Sequence, residues 1–404
     1  MNQDLYANKV PRVSFNFEIS HRDSEYVVTL KDSNFHLKIS DNLFYLLNIV
    51  DSNKNVAQIV AEYNSLYNAK LDTDLAYMLL YEKLGYYNII ENQENNFRTS
   101  SPTYLKLNFI IIKAKTTRVI SRPFLFLFSG KILRVLVPIC VIIIFFSIIT
   151  NYELIYQSFK DLSPKYFMLY MVIMILSSFL HELGHTSATY KYGGSHSGIG
   201  IGFYLFTPVL YADVSSAWKF DYKKRIIVNL GGIYFEFLFG TALLLISLIF
   251  EIKSLLIVPS LILFKTLFNL NPFFRTDGYW VLSDFTKTPN LRMASNNLLK
   301  NIFNNKISLK PYSKNILLLL YAIISNSFIF LFLFYLFVIN PNSLINFPSD
   351  IYNIVSLMIN KGFVFKQTMV SRLLIPIMFY YLFIKMIIGY FKKICKKNRN
   401  FIEP

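Results

Sequence analysis

Three ionisable residues interrupt an otherwise apolar run. In MVIMILSSFLHELGHTSATY, residues 171–190, His181, Glu182 and His185 follow a nearly uninterrupted apolar stretch. Residues four apart lie on one face of a helix, so the two imidazoles can ligate one metal ion. Glu182 lies beside them and can accept a proton from an attacking water. His-Glu-x-x-His on a helix is the arrangement used by zinc hydrolases.

A second interpretation is a pair of helix-end histidines that only bond their neighbours. The chain has five His and 24 Asp plus Glu in 404 residues. The motif is then expected by chance in well under roughly one in a hundred such chains. Ionisable side chains at membrane depth are also costly, which favours a functional site. We therefore favour the metal site.

A catalytic zinc site usually has three protein ligands, so a third residue is needed. Asp277 stands out, in FNLNPFFRTDGYWVLSD, just after Pro272 ends an apolar span. The other histidines are weaker candidates: His21 and His36 lie in a soluble front region, and His196, in KYGGSHSG, is interpreted as a solvated loop residue. The two cysteines, in an apolar run and in a basic tail, offer neither a disulfide framework nor a Cys-rich zinc site.

The composition is that of a membrane protein. Apolar residues make up 54% of the chain and charged residues 16%. Several runs reach the roughly 20 residues that cross a hydrocarbon core about 30 Å thick. We predict a mainly α, polytopic protein in the lipid bilayer, with about six spans in a domain over 132–391. The predicted spans are 132–150, 166–190, 226–250, 254–270, 316–338 and 373–391.

Basic residues are unevenly distributed. The net charge is +17, but residues 1–100 hold 9 Lys and Arg against 13 Asp and Glu, whereas the rest holds 32 against 11. Alternate flanks of the predicted spans hold 23 and 6 Lys and Arg. Positive charge stays inside, so both termini, including the tail 392–404, are predicted to be cytoplasmic in a bacterial cell membrane. The basic residues flank spans, which argues against a nucleic-acid partner.

This topology brings the second and fourth spans to the cytoplasmic side at their carboxyl ends. His185 and Asp277 are therefore predicted to meet at one depth in the membrane. The loop-charge count contains no information on metal chemistry, so it supports the proposed ligand set independently.

The front of the chain predicts a small α+β domain over 1–92, followed by a linker over 93–131 that contains the strand-like run LKLNFIII. EYVVTL and FHLKIS read as strands around a KDSN turn. Three helices follow, the first capped by Ser40, the second by Asn55, and the third ending at Gly85, before a short closing strand. This order is typical of a winged-helix-like domain.

Together the motifs carry a resemblance. HELGH (181–185), with NLNP (269–272) and DG (277–278), resembles the site-2 protease family of intramembrane zinc metalloproteases. LYADVSSAWKF (210–220) and NPFFRTDGYWVLSD (271–284) resemble more narrowly the peptide zinc metalloproteases found with bacterial peptide-maturation genes. The resemblance covers roughly residues 120–390. It implies Asp277 as the third zinc ligand, although the FFRT spacer before it differs from that of many members.

The front domain resembles the PqqD-like, leader-peptide-recognition type of winged helix, which binds a leader peptide as an added strand. The expected function is zinc-dependent cleavage of a precursor peptide, as in bacteriocin maturation, alongside a peptide ABC exporter and a peptide-modifying enzyme. Two alternatives stay open. One is a non-catalytic partner of an exporter that keeps zinc for structure, and the other is regulated proteolysis of a membrane-bound regulator.

Several other polar residues are candidates for contacts with the substrate or between helices. Substrate contacts are predicted for Asn269, Asn271 and Asp213. The glycine-rich run GIGIGFYLFTPVLYADV predicts either a substrate-clamping hairpin or a passive loop. The remaining polar residues of the spans are Glu236, Asn229 and Lys265. Glu236 and Asn229 either face the site or bond a neighbouring helix, and Lys265 is long enough to snorkel to the interface, but the sequence does not determine the role of any of the three.

Overall fold

A computed structural model describes most of the chain. The described residues are 6–14, 17–22, 25–30, 35–91, 105–160, 162–196, 198–204, 207–304 and 313–361, with scattered positions between 373 and 388. The chain divides into two compact units, Met1–Leu291 and Arg292–Pro404. The structure is mainly helical with a small N-terminal sheet, which confirms the predicted fold class in outline.

The front of the first unit pairs one sheet with three helices. The antiparallel sheet has the order β1-β2-β3, with β1 at Phe17–Arg22, β2 at Glu25–Leu30 and β3 at Phe35–Ile39. The helices are α1 (Asp41–Ile49), α2 (Val56–Tyr67) and α3 (Thr73–Tyr77), and α3 continues as a π-helix over Met78–Leu84. Their apolar faces form one core around Val28, Leu46 and Ile59.

Local sequence explains these boundaries. The Ser40 side chain accepts a hydrogen bond from the backbone N–H of Leu43 in the first turn of α1. Asn55 and Gln58 form a capping box at α2, so both predicted caps are confirmed. β1 was not predicted, because its alternation of Phe17 and Ile19 with polar residues is short. The predicted closing strand is only a single bridge between Val13 and Ile90. The predicted KDSN turn lies outside the described residues.

The segment predicted as a linker contains regular structure. It includes β4 (Leu105–Lys113), α4 (Ala114–Ser121) and a 3-10 turn at Arg122–Phe128. β4 pairs antiparallel with β5 (Gly198–Tyr204), which pairs with β6 (Thr207–Ala212). The strand-like run and the glycine-rich hairpin thus both form strands, and β4 and β6 are the two outer strands of this sheet. Their pairing is non-local, which a scan along the sequence does not detect.

Four helices within the described residues are long and apolar enough to cross a membrane. They are α5 (Gly130–Thr150), α7 (Pro164–Lys191), α8 (Tyr222–Ile249) and Asn315–Ile339 in the second unit. A short helix, α6 (Tyr152–Lys160), lies between α5 and α7. These correspond to four of the six predicted spans.

The predicted span at 254–270 is not confirmed, because these residues do not form one long α-helix. The chain instead forms a 3-10 turn at Lys253–Ile257 and a 12-residue helix, α9, at Val258–Asn269. Pro259 fixes the start of α9. The two segments rise by about 10 Å and 18 Å, so neither alone crosses a hydrocarbon core about 30 Å thick. The sixth predicted span, 373–391, lies almost wholly outside the described residues.

α7 and α8 approach each other closely at a pair of glycines. A Cβ added at Gly184 would lie 2.2 Å from the backbone oxygen of Gly231. Small residues let helix backbones approach in this way inside a membrane. Gly184 lies inside the HELGH motif, so the motif is held directly against the backbone of α8.

Further helices follow in the described chain. α10 spans Asp277–Phe285 and α11 Leu291–Phe303. In the second unit, α12 (Ser313–Phe334) continues as a π-helix over Tyr335–Ile339, and α13 (Asn342–Ile345) and α14 (Phe347–Lys361) follow.

Candidate metal centre

Two helices and a turn bring the three predicted ligands together. His181 and His185 lie one turn apart on α7, and Asp277 is the first residue of α10, after the turn that follows α9. The His181 Nε2 atom lies 3.0 Å from Asp277 Oδ2, and His185 Nε2 lies 3.5 Å from Asp277 Oδ1. One ligand atom from each residue lies within 4.8 Å of the other two. The structure therefore brings together all three residues proposed from the sequence.

The surroundings of His185 determine which of its ring nitrogens faces the point where the three ligand atoms meet. Its Nδ1 lies 2.7 Å from the backbone oxygen of Val228 on α8. A carbonyl oxygen only accepts, so Nδ1 carries the proton of the neutral ring and Nε2 presents a lone pair.

His181 has the same orientation with a different partner. Its Nδ1 lies 3.1 Å from Oε1 of Glu236, which also only accepts as a carboxylate. The Nε2 atoms of the two rings lie 3.1 Å apart. Two lone pairs and a carboxylate thus converge on one point, an arrangement that is repulsive in isolation.

A divalent cation relieves this repulsion. Within the described residues, Oδ2 of Asp277 is buried and receives no hydrogen bond of good geometry. Two imidazole nitrogens and one carboxylate oxygen are also a ligand set that suits zinc. The residues present therefore fit a zinc ion.

The charge on Asp277 is consistent with a role as a zinc ligand. Burial raises the pKa of its carboxyl, but positive charge on the adjacent His185 and His181, which a bound cation would replace, outweighs that effect and holds the pKa well below its usual range. Asp277 is therefore an anion at neutral pH, the form in which a carboxylate binds a metal.

A glycine on α8 makes room for the two rings. A Cβ added at Gly232 would lie 2.6 Å from Nε2 of both His181 and His185. The sequence NLGG before the middle of α8 thus supplies space at the point where the rings meet.

Glu182 faces a cavity beside the three ligands. The cavity has a volume of about 540 Å³ and is lined by Glu182, the two histidines, Asp277 and the edge strand β6. The backbone N–H of Ala212, at the end of β6, donates to the Glu182 carboxylate. The predicted base therefore lies between the three ligands and a strand edge.

The three predicted substrate contacts differ in their surroundings. Asp213 and Asn269 both line the cavity. Asp213 Oδ1 also accepts from the backbone N–H of Ser215 at 3.0 Å. Asn271 instead accepts from the backbone N–H of Phe273 at 2.9 Å and shapes the turn before Asp277. None of these contacts tests substrate binding, which stays a prediction.

Sequence reasoning missed a polar cluster on the cavity wall. Asp284 accepts from Arg225 Nε at 2.7 Å and from Asn229 Nδ2 at 2.8 Å. Asp284 lies two turns after Asp277 on the same face of α10, and that spacing was the available signal. Asn229 therefore bonds a neighbouring helix, one of the two roles predicted for it.

The prediction for His196 is wrong, and the structure shows a partner for Lys265, whose role the sequence left undetermined. His196 is not solvated but only 9% exposed, and its Nδ1 accepts from the backbone N–H of Gly198 at 3.3 Å. Burial and the nearby Arg118 lower the pKa of this imidazole. Lys265 does not snorkel to the interface, because its Nζ lies 2.6 Å from the buried Oε1 of Glu236. A negative charge inside the protein outweighs the pull of the interface.

The chain is similar to one curated protein with a described chemistry. It is 30% identical over 125 residues to a Bacillus subtilis (strain 168) protein named "Putative peptide zinc metalloprotease protein YydH". The match covers 30% of this chain and 49% of that protein, so the chain spans about half the length of this curated relative. No protein-family model and no solved structure matches the chain. The similarity supports a zinc-metalloprotease-like relationship.

Proposed function

We propose that the chain is a membrane-embedded zinc metalloprotease of the site-2 protease type, which hydrolyses a peptide bond in a precursor peptide. The single observation that carries the proposal is the convergence of His181, His185 and Asp277 within 4.8 Å, next to Glu182. The proposal includes zinc at the three ligands, a multi-pass topology and both termini in the cytoplasm of a bacterial cell.

The chemistry divides between the ion and Glu182. When bound by the three ligands, zinc supplies a Lewis acid that polarises the scissile carbonyl and activates the attacking water. Glu182 accepts the proton of that water and passes it to the leaving amine. The Ala212 N–H fixes the carboxylate on the cavity wall while the proton moves. Asp213 and Asn269 are proposed to contact the substrate from the same wall.

The substrate is proposed to enter in an extended conformation. A helical segment already uses its carbonyls in hydrogen bonds, so it must unwind before cleavage. β6 is an outer strand of its sheet, and its residues from Val209 to Ala212 line the cavity. An added strand on this edge would carry a peptide bond past Glu182.

The front domain is proposed to hold the leader part of the precursor. β3 is one of the two outer strands of the front sheet. A groove of about 440 Å³ lies beside it, lined by Leu37, Ile39 and Leu43 and by Lys83 and Tyr86 of the helical segment. An extended leader peptide adding to this edge would bury apolar side chains in the groove.

The biological role proposed is maturation of a ribosomally made, bacteriocin-like peptide, together with an exporter and a modifying enzyme. The position of Glu182 on the cavity wall favours an enzyme over a non-catalytic partner of an exporter, because a structural metal needs no base. Cleavage of a membrane-bound regulator would use the same chemistry on another substrate.

Co-expression with short peptides encoded by neighbouring genes tests the proposal. The peptides are analysed by mass spectrometry with wild-type protein, Glu182→Gln, and Glu153→Gln as a control at an exposed position of α6. We expect one peptide to be cut by the wild type and by Glu153→Gln but not by Glu182→Gln. Equal cleavage by Glu182→Gln would overturn the catalytic assignment.

A further inference from the structure

A buried ion pair lies directly behind His181. Glu236 on α8 has no exposed surface, and its Oε1 lies 2.6 Å from Lys265 Nζ and 3.1 Å from His181 Nδ1. Lys265, on α9, also donates to Ser178 Oγ at 2.8 Å, one turn before His181 on α7. The pair therefore connects three helices at the level of the first histidine.

Burying such an ion pair is energetically unfavourable. Removing two charges from water costs several kcal/mol for each ion, and an apolar pair of the same size is often as stable or more so. Within the described residues, neither oxygen of Glu236 receives an aligned hydrogen bond, so the contacts are close ion pairs only. Fold stability alone is therefore a weak reason for these charges.

The two histidines differ in the group that lies beside Nδ1. His185 is oriented by a backbone oxygen, that of Val228, which is available in any sequence. His181 has Glu236 beside its Nδ1 instead. Lys265 balances the charge of Glu236, so that the carboxylate can remain an acceptor in an apolar region.

We propose that Glu236 is a positioning residue for His181, accepting from Nδ1 so that Nε2 faces the metal, and that Lys265 is the counter-ion of Glu236 in the apolar region behind the site. This inference rests on the proposed metal site. Partners of this kind typically account for about 10- to 100-fold in metal affinity.

Two double variants separate positioning from fold stability. Glu236→Leu/Lys265→Met removes both charges and the acceptor, whereas Glu236→Gln/Lys265→Met removes both charges but keeps an amide oxygen near Nδ1. Neither leaves a buried charge without a partner, so both are expected to fold. Thr241→Val, a change at a buried hydroxyl further along α8, is the matched control.

Metal binding is measured on purified protein in detergent with two probes. Zinc affinity is measured by competition with a chelator, and cobalt(II) is added to apo-protein for its visible absorption, which reports the ligands and their geometry. We expect the Leu/Met variant to bind zinc at least about 10-fold more weakly than the Gln/Met variant and to show altered cobalt bands. Thr241→Val should match the wild type.

Equal zinc affinities and equal cobalt spectra for the two double variants would overturn the positioning role. That result differs from failure of the proposed function, in which the wild type itself would bind neither zinc nor cobalt.

Discussion

The backbone oxygen of Val228 lies 2.7 Å from Nδ1 of His185. This contact joins α8 to the metal-binding motif on α7 and sets the direction in which the imidazole presents its lone pair. α8 contributes none of the three proposed ligands, but three of its residues shape the site. The Val228 carbonyl and the Glu236 carboxylate lie beside the Nδ1 atoms of the two histidines, and Gly232 leaves space for both rings.

Gly232→Ala is expected to disrupt the site without a change in any ligand. The new methyl group would lie 2.6 Å from Nε2 of both His181 and His185, so both rings must move. We predict that purified Gly232→Ala holds at most about a tenth of the wild-type zinc, a loss comparable to that of an outer-shell partner. Gly130→Ala, where an added Cβ meets nothing within 4 Å, should retain full zinc content. Full zinc content in Gly232→Ala would contradict the geometry.

Glu182→Gln is expected to separate metal binding from catalysis. Glu182 lines the cavity but is not one of the three ligands, so the variant should keep the wild-type zinc content. Its cleavage rate should fall by about 10²- to 10⁴-fold, the usual contribution of a general base. Elemental analysis and a peptide-cleavage assay on one preparation check both points. Loss of zinc in this variant would make Glu182 a ligand.

The local parts of this site could be predicted from the sequence. The spacing of His181 and His185 has a fixed meaning on a helix, and an Asp after a helix-ending Pro is an identifiable candidate. The four long apolar helices also follow from composition alone.

The non-local parts could not be predicted in the same way. The partners of Glu236 and Lys265 depend on which faces of α8 and α9 meet, and β4 pairs with β5 across a long stretch of chain. α9 is short because Pro259 and the turn after Asn269 bound it, although its hydropathy reads as a span. The loop position of His196 indicated solvent, yet tertiary packing buries it.

Asp284→Ala is expected to destabilise the fold. Asp284 accepts from both Arg225 and Asn229, and the side chains of Asp284 and Arg225 are only 7% and 15% exposed. Removing one partner of a buried pair costs about 3 kcal/mol or more, because the other charge is left without compensation. Thermal unfolding in one detergent measures the effect.

The control for that prediction is an exposed pair. Glu62→Ala breaks the contact between Lys54 and Glu62, which are 2.8 Å apart and each 36% exposed, and should cost about 1 kcal/mol or less. If the melting temperature fell equally in both variants, the cluster around Asp284 would have no special role in stability.

The orientation of α7 gives a test of the proposed topology. Lys165 and Lys191 are exposed near its two ends. In a background without native cysteines, Lys165→Cys should react with a membrane-impermeant maleimide on intact cells, because this end is proposed to face outward. Lys191→Cys should react only after permeabilisation. The reverse pattern would contradict the inside location of the termini.

The zinc content of Asp277→Ala tests the central claim most directly. Wild-type protein, Asp277→Ala and Asp213→Ala are purified together, and bound metal is measured by elemental analysis after dialysis against a weak chelator. Asp213 lines the same cavity but lies outside the three-ligand set, which makes it the matched control. We predict about one zinc per chain in the wild type and in Asp213→Ala, and little or none in Asp277→Ala. Equal zinc in Asp277→Ala and the wild type would contradict the account.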